Sequence, residues 1–227
     1  MCFSATASFT AAAVLIPSGI YCLKKSNQLD KRYWAIAMLP LLFGLQQFLE
    51  GGVWLALQQG EAGATRGLAL GFLFFSHVFW LGWIPFSVYQ VESYARLKRF
   101  FLLVTIFGVV FGASMFVPLL FNPTWLGVSI VNQSIYYDLS FIFDAEVSQQ
   151  VLTVIYAVVI IAPLLLCSER YHRVLGGMIL ASGLFSWAFY DWVFVSVWCY
   201  FAAIISLTIF FMVARSVITS HASKLAN

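Results

Sequence analysis

An all-α, polytopic membrane bundle of seven transmembrane helices, with the N-terminus out and the C-terminus in, is the fold class that the sequence predicts. Three observations predict it. Hydrophobic residues make up 62% of the 227 residues and charged residues 9%. Soluble domains carry roughly 45–50% and about 25%, and so few charges could not cover a water-exposed surface. The apolar residues are gathered into runs of about 18 to 25, the length that crosses a hydrocarbon core about 30 Å thick. Finally, eleven of the twelve Lys and Arg residues fall in alternate gaps between those runs. Basic side chains resist translocation, so the gaps that hold them stay in the cytoplasm.

The runs are 8–23, 33–57, 67–90, 99–121, 150–167, 173–190 and 192–214, and together they read as one domain over residues 1–227. The first begins near Ser8 and stops at Lys24-Lys25. No basic leader precedes it and no cleavage site with a soluble domain follows, so it reads as a retained helix. Removal of Met1 ahead of the small residue Cys2 stays open. Lys31 and Arg32 complete the first inner gap, and the second run then climbs outward. The third run descends to Arg96, Lys98 and Arg99, and the fourth climbs to a long outer segment, about 122–149. That segment is polar and aromatic, with the tripeptide Asn132-Gln133-Ser134, and its length reads as a cap or lid. The fifth run ends at Cys167 before Arg170 and Arg173, the sixth turns outside at Tyr190-Asp191-Trp192, and the seventh ends at Arg215 and Lys224. Arg66 is the one basic residue in an outer gap. Glu61, Asp138, Asp144, Glu146 and Asp191 are outer as well.

Pro17, Pro40, Pro85, Pro118 and Pro163 place one proline in each of the first five runs, as kinks or as hinges. Gly176, Gly177, Ala181 and Gly183 suit close helix packing. The net charge of +3 records membrane orientation and gives no sign of nucleic-acid binding. Cys22 and Cys167 fall at the inner ends of their helices, where a reducing compartment disfavours bridging.

Polar side chains inside spans are costly, so each is a functional candidate. In the second run Gln46, Gln47 and Glu50 are three and four apart and share one face. In the third, Ser76, His77 and Trp80 precede Trp83, and His77 is expected to pair with Glu50 across the bundle. One intramembrane histidine does not supply the three protein ligands of a catalytic zinc site, and no metal is expected. In the seventh, Ser196, Trp198 and Cys199 follow the turn at Asp191; no lysine lies there, which excludes a retinal Schiff base. The ligand-binding candidates are Gln46, Gln47, Glu50, His77, Trp80, Asp191 and Trp198, all assigned to an outer pocket. Cys2 and Cys199 are candidate reactive thiols, with Ser4 or Thr6 capping the first helix and the start of the chain able to tuck into the bundle mouth.

Three stretches carry a resemblance: Met1-Cys2-Phe3-Ser4-Ala5-Thr6-Ala7-Ser8-Phe9, Phe43-Gly44-Leu45-Gln46-Gln47-Phe48-Leu49-Glu50-Gly51 and Ser196-Val197-Trp198-Cys199-Tyr200-Phe201-Ala202-Ala203. Taken together they resemble an uncharacterised family of bacterial multi-span membrane proteins. The resemblance implies an inner-membrane protein and brings no activity, substrate or cofactor with it.

Three functions compete on these residues. The first is a binder or transporter of a small molecule, with the lipid bilayer as surroundings. The second is a membrane-embedded enzyme acting on a lipid or isoprenoid, with Cys2, Cys199 or His77 reactive and 122–149 as its lid. The third is a structural or assembly protein without a ligand.

Overall fold

The structure is a computed structural model and describes residues 4–142 and 147–225. Met1, Cys2, Asp144 and Glu146 lie outside the described residues. Six helical stretches among them are long and apolar enough to cross a membrane: Ala5–Ser26, Lys31–Gln59, Ala62–Val91, Ala95–Phe121, Gln149–Leu166 and Arg170–Ala214. The last is 45 residues long and is broken by a 3-10 turn at Asp191–Val193. Its two arms, α8 (Arg170–Tyr190) and α9 (Phe194–Leu225), fold back on each other. Phe185 and Phe201 rings meet edge to face at 5.6 Å, and Trp198 Nε1 donates to the Ile179 carbonyl at 3.2 Å.

Helix ends follow local chemistry. α1 (Ala5–Leu29) is capped by Ser4, whose Oγ accepts from the Ala7 N–H. A 3-10 turn at Lys31–Tyr33 and the short α2 (Trp34–Ala37) lead into α3 (Leu39–Gln59). Pro40 sits in the first turn of α3, where its missing N–H is not needed. It is therefore neither kink nor hinge, unlike Pro17, Pro85, Pro118 and Pro163, which lie inside their helices. Gly60 ends α3 in the left-handed conformation at φ +71°.

The third stretch is not one uniform helix. α4 (Ala62–Phe74) and α5 (Trp80–Val91) are joined by a π-helical turn, Phe75–Phe79, with His77 at its centre. Against it packs α6 (Ala95–Phe121), which carries Gly108 and Gly112 four residues apart. A Cβ on Gly108 would come 2.1 Å from the Leu81 carbonyl oxygen, and one on Gly112 would come 2.3 Å from that of His77. Small residues at this spacing let two backbones touch. The same device joins α1 to α3, where Gly19 lies against the Leu41 backbone and Gly44 against Ile16. In α8 only part of the expected small-residue face is used: Gly176 packs on Leu164 and Gly183 on the Trp198 ring. Gly177 meets nothing within 4 Å and Ala181 is exposed.

The expectation of an all-α chain needs one correction. The long segment at about 122–149 contains an antiparallel hairpin, β1 (Leu126–Val131) and β2 (Ser134–Leu139), paired from Leu126↔Leu139 to Val131↔Ser134. Its two-residue turn is Asn132-Gln133, both left-handed (φ 46° and 59°), the twist that matches right-handed strands. Ile135 and Leu139 are buried, Tyr137 stacks on Phe72 of α4 at 5.1 Å, and Gln149 Nε2 donates to the Leu139 carbonyl. The hairpin caps one end of the bundle, and α7 (Gln149–Leu166) begins beneath it.

At that same end Arg66 donates to the Leu119 carbonyl (2.8 Å) and the Pro123 carbonyl (3.3 Å). A helix C-terminus presents unpaired carbonyls and partial negative charge, so Arg66 is occupied in closing α6.

Candidate functional site

Polar side chains from three helices meet in the interior. Gln46, Gln47 and Glu50 of α3 have no solvent exposure. Gln46 Oε1 accepts from Trp80 Nε1 at 2.8 Å, and the Trp80 ring stacks on Phe43 at 3.9 Å. Glu50 Oε2 accepts from Gln47 Nε2 at 3.1 Å, and its Oε1 from Ser196 Oγ of α9 at 2.6 Å. Cys199, one turn beyond Ser196, has Glu50 and Gln46 as electrostatic neighbours. The helical spacing that put the three α3 residues on one face is what lets a single stretch of α3 reach both α5 and α9.

His77 does not join this network. The expected His77–Glu50 pair is not formed: His77 Nδ1 is bonded to Ser76 Oγ at 2.9 Å, and its ring neighbours are Phe141 (5.9 Å) and Tyr156 (6.5 Å). The π turn is the physical reason. An extra residue in a turn rotates the side chains that follow it, so a face drawn at 3.6 residues per turn misplaces His77.

His77 stands instead in the wall of a cavity of about 270 Å³ under the hairpin. Asp138 and Asp191, both exposed, stand at its rim; Tyr156, Ser196 and Trp198 line it more deeply. The volume is just below the common range for small-molecule sites. A second cavity of about 40 Å³, almost wholly apolar, shares Tyr156, Trp198 and Cys199 with the first and reaches Trp80.

The expected site residues thus separate into two shells. His77, Asp191 and Trp198 line the larger cavity, Trp80 the smaller one, and Gln46, Gln47 and Glu50 line neither. Glu50 reaches the larger cavity through Ser196. Cys199 lines both cavities and is 6% exposed; Cys2 lies outside the described residues, so neither its reactivity nor the tucked chain start has a structural counterpart here. Sequence reasoning missed Tyr136, Asp138, Phe141, Thr153 and Tyr156 in the wall. One signal was available for Tyr156, the only aromatic residue in the run 150–167.

The opposite end of the bundle is tied by Glu92, just past α5 and 2% exposed. Its Oε1 accepts from the Ser93 and Tyr94 N–H groups, both at 2.8 Å, and from Ser168 Oγ. Its Oε2 accepts from the Ser168 N–H at 3.0 Å. Burial raises the pKa of this carboxyl, but the four donors together outweigh burial and hold it below the ordinary glutamate value. Burial pushes the neighbouring Cys167 thiol up to about 11, which keeps it protonated and unreactive.

No curated protein and no solved structure matches the chain. Residues 1–224 match the model of DUF6629, a family of unknown function, and the chain belongs to that family.

Proposed function

We propose that this protein binds a small molecule in the cavity beneath the hairpin, as a seven-span protein of the bacterial inner membrane with its N-terminus outside. The observation that carries the binding reading is the cavity itself, with a buried histidine in its wall and carboxylates at its rim. An interior that needed only to pack would not leave about 270 Å³ open beside a histidine, because protein interiors are filled to crystal-like density. The smaller apolar cavity extends the site inward, and the hydrogen-bonded Glu50 carboxyl group behind Ser196 stiffens its back wall. Seven crossings are supported by the break at Asp191–Val193 and by the alternation of basic gaps.

Binding is tested with the full chain in detergent, by thermal unfolding against a panel of metabolites and lipids. A ligand of the folded state raises the melting temperature in proportion to RT ln(1 + [L]/Kd). Thr153→Trp fills the cavity from α7 and is expected to abolish the shift while leaving the helical circular dichroism intact. No shift from any panel member, or a shift that survives Thr153→Trp, overturns the reading. Orientation is tested by labelling single cysteines in intact cells with a membrane-impermeant maleimide. Ser129→Cys should react, and Lys98→Cys should react only after permeabilisation; the reverse pattern overturns the topology.

A further inference from the structure

The lining of the cavity specifies a charge. Two carboxylates, Asp138 and Asp191, stand at its rim, and none of its described lining residues is Lys or Arg. Seven lining side chains are aromatic, among them Tyr156, Trp192, Phe194 and Trp198. Aromatic faces attract cations and repel anions. Clefts lined by one sign of charge also concentrate ligands of the other sign.

His77 adds a directional element. Ser76 Oγ lies 2.9 Å from His77 Nδ1 and 3.3 Å from the Leu73 carbonyl; with its single proton given to that carbonyl, Oγ becomes the acceptor and Nδ1 the protonated nitrogen, and this tautomer is part of the inference. Nε2 then carries a lone pair and has no hydrogen-bond partner among the described residues, although His77 is only 5% exposed. An acceptor that faces the cavity from its wall is complementary to an N–H donor. A cation bonded there also comes within reach of the Phe141 and Tyr156 rings, whose centroids are 5.9 and 6.5 Å from that of His77.

We infer that the ligand of this cavity is a small amine in its ammonium form, carrying an apolar or aromatic body. It is drawn in by Asp138 and Asp191, hydrogen-bonded by His77 Nε2 and enclosed by the aromatic walls. The inference rests on the proposal that the cavity binds a small molecule, and it names the chemical class. No bond is made or broken.

Three probes of one shape decide it: phenethylamine, 2-phenylethanol and 3-phenylpropionate, positive, neutral and negative. Each is titrated into the full chain in detergent at low salt, following thermal unfolding and the intrinsic tryptophan fluorescence, to which Trp192 and Trp198 contribute from the cavity wall. The amine is expected to bind about tenfold more tightly than the alcohol, with the carboxylate weakest. The Asp138→Asn/Asp191→Asn double variant changes exposed positions only, and Asn still caps a turn. It is expected to weaken the amine roughly 3- to 10-fold, to flatten its salt dependence and to leave the alcohol unchanged. Equal or tighter binding of the alcohol or the carboxylate overturns the ammonium assignment and leaves the binding cavity standing. So does amine binding that is indifferent to the double variant. Silence from all three probes also overturns the ammonium assignment, and the broad panel with Thr153→Trp then judges the cavity separately.

Discussion

Ser196 Oγ donates a 2.6 Å hydrogen bond to Glu50 Oε1, joining α9 to α3 across 146 positions of sequence, with both residues buried. Gln47 holds the other carboxyl oxygen. Interhelical hydrogen bonds of this kind contribute about 0.6 to 2 kcal/mol in membrane bundles. Ser196→Ala is therefore expected to lower the unfolding free energy by about 1 kcal/mol. Glu50→Ala, which strips two donors of their acceptor and leaves a void, is expected to lower it by about 2 to 4 kcal/mol. Unfolding in mixed micelles gives both values, together with that of the double variant. Additive losses would show that the two residues do not act through each other.

The approach of α6 to the π turn makes a sharper comparison. Gly112→Ala would drive a methyl group to 2.3 Å from the His77 carbonyl oxygen, and Gly108→Ala to 2.1 Å from that of Leu81. Backbone cannot yield as a side-chain tip can, so each substitution is expected to cost about 1 to 3 kcal/mol. Gly177→Ala meets nothing within 4 Å and should stabilise α8 by about 0.5 to 1 kcal/mol through helix propensity alone. Melting temperatures of the three variants decide the matter, and a loss at Gly177 as large as at Gly112 would sink the packing argument.

What the residues disclosed in advance follows the reach of each signal. Hydropathy acts over some twenty residues, so the apolar runs from 8–23 to 192–214 fall on the six long helical stretches, the last two runs sharing the one that breaks at Asp191–Val193. Helical periodicity acts over one or two turns. It correctly grouped Gln46, Gln47 and Glu50 on one face but carried no information on which helix that face meets. It failed at His77 because the π turn breaks the period. The hairpin was hidden for another reason: its turn is Asn132-Gln133, lacking the glycine that usually marks such a connection. Glu92 passed unnoticed because three of its four hydrogen bonds come from backbone N–H groups, which no residue type announces.

Glu92 gives the protein a pH dependence whose sign is fixed. Its folded pKa lies below the ordinary value of 4.5, despite burial, because of its hydrogen bonds to Ser168, Tyr94 and Ser93. The stability it contributes is present above that ordinary value and is lost as pH falls through the depressed folded one. Glu92→Gln is expected to be less stable than the parent by about 1 to 3 kcal/mol at pH 7, with the gap closing towards pH 3. Ser168→Ala should remove part of the same gap. Unfolding measured from pH 7 to pH 3 checks this, and a gap that stays constant with pH would refute the role given to the carboxylate.

The hairpin turn offers a gain instead of a loss. Gln133 is held at φ 59°, where a side chain beyond Cα meets the following carbonyl and costs roughly 1 to 2 kcal/mol, whereas glycine adopts the conformation freely. Asn132 tolerates it better, because short polar side chains bond locally to the backbone. Gln133→Gly creates the Asn-Gly pair favoured by such turns and is expected to stabilise the hairpin by about 1 kcal/mol. Because Ile135 and Leu139 pack beneath the strands and β2 forms one wall of the cavity, that gain should appear locally. Amide exchange at residues 126–139 should slow about fivefold, while exchange in α1 and α3 is unchanged. Unaltered exchange in the hairpin would mean that the left-handed turn is not what limits its opening.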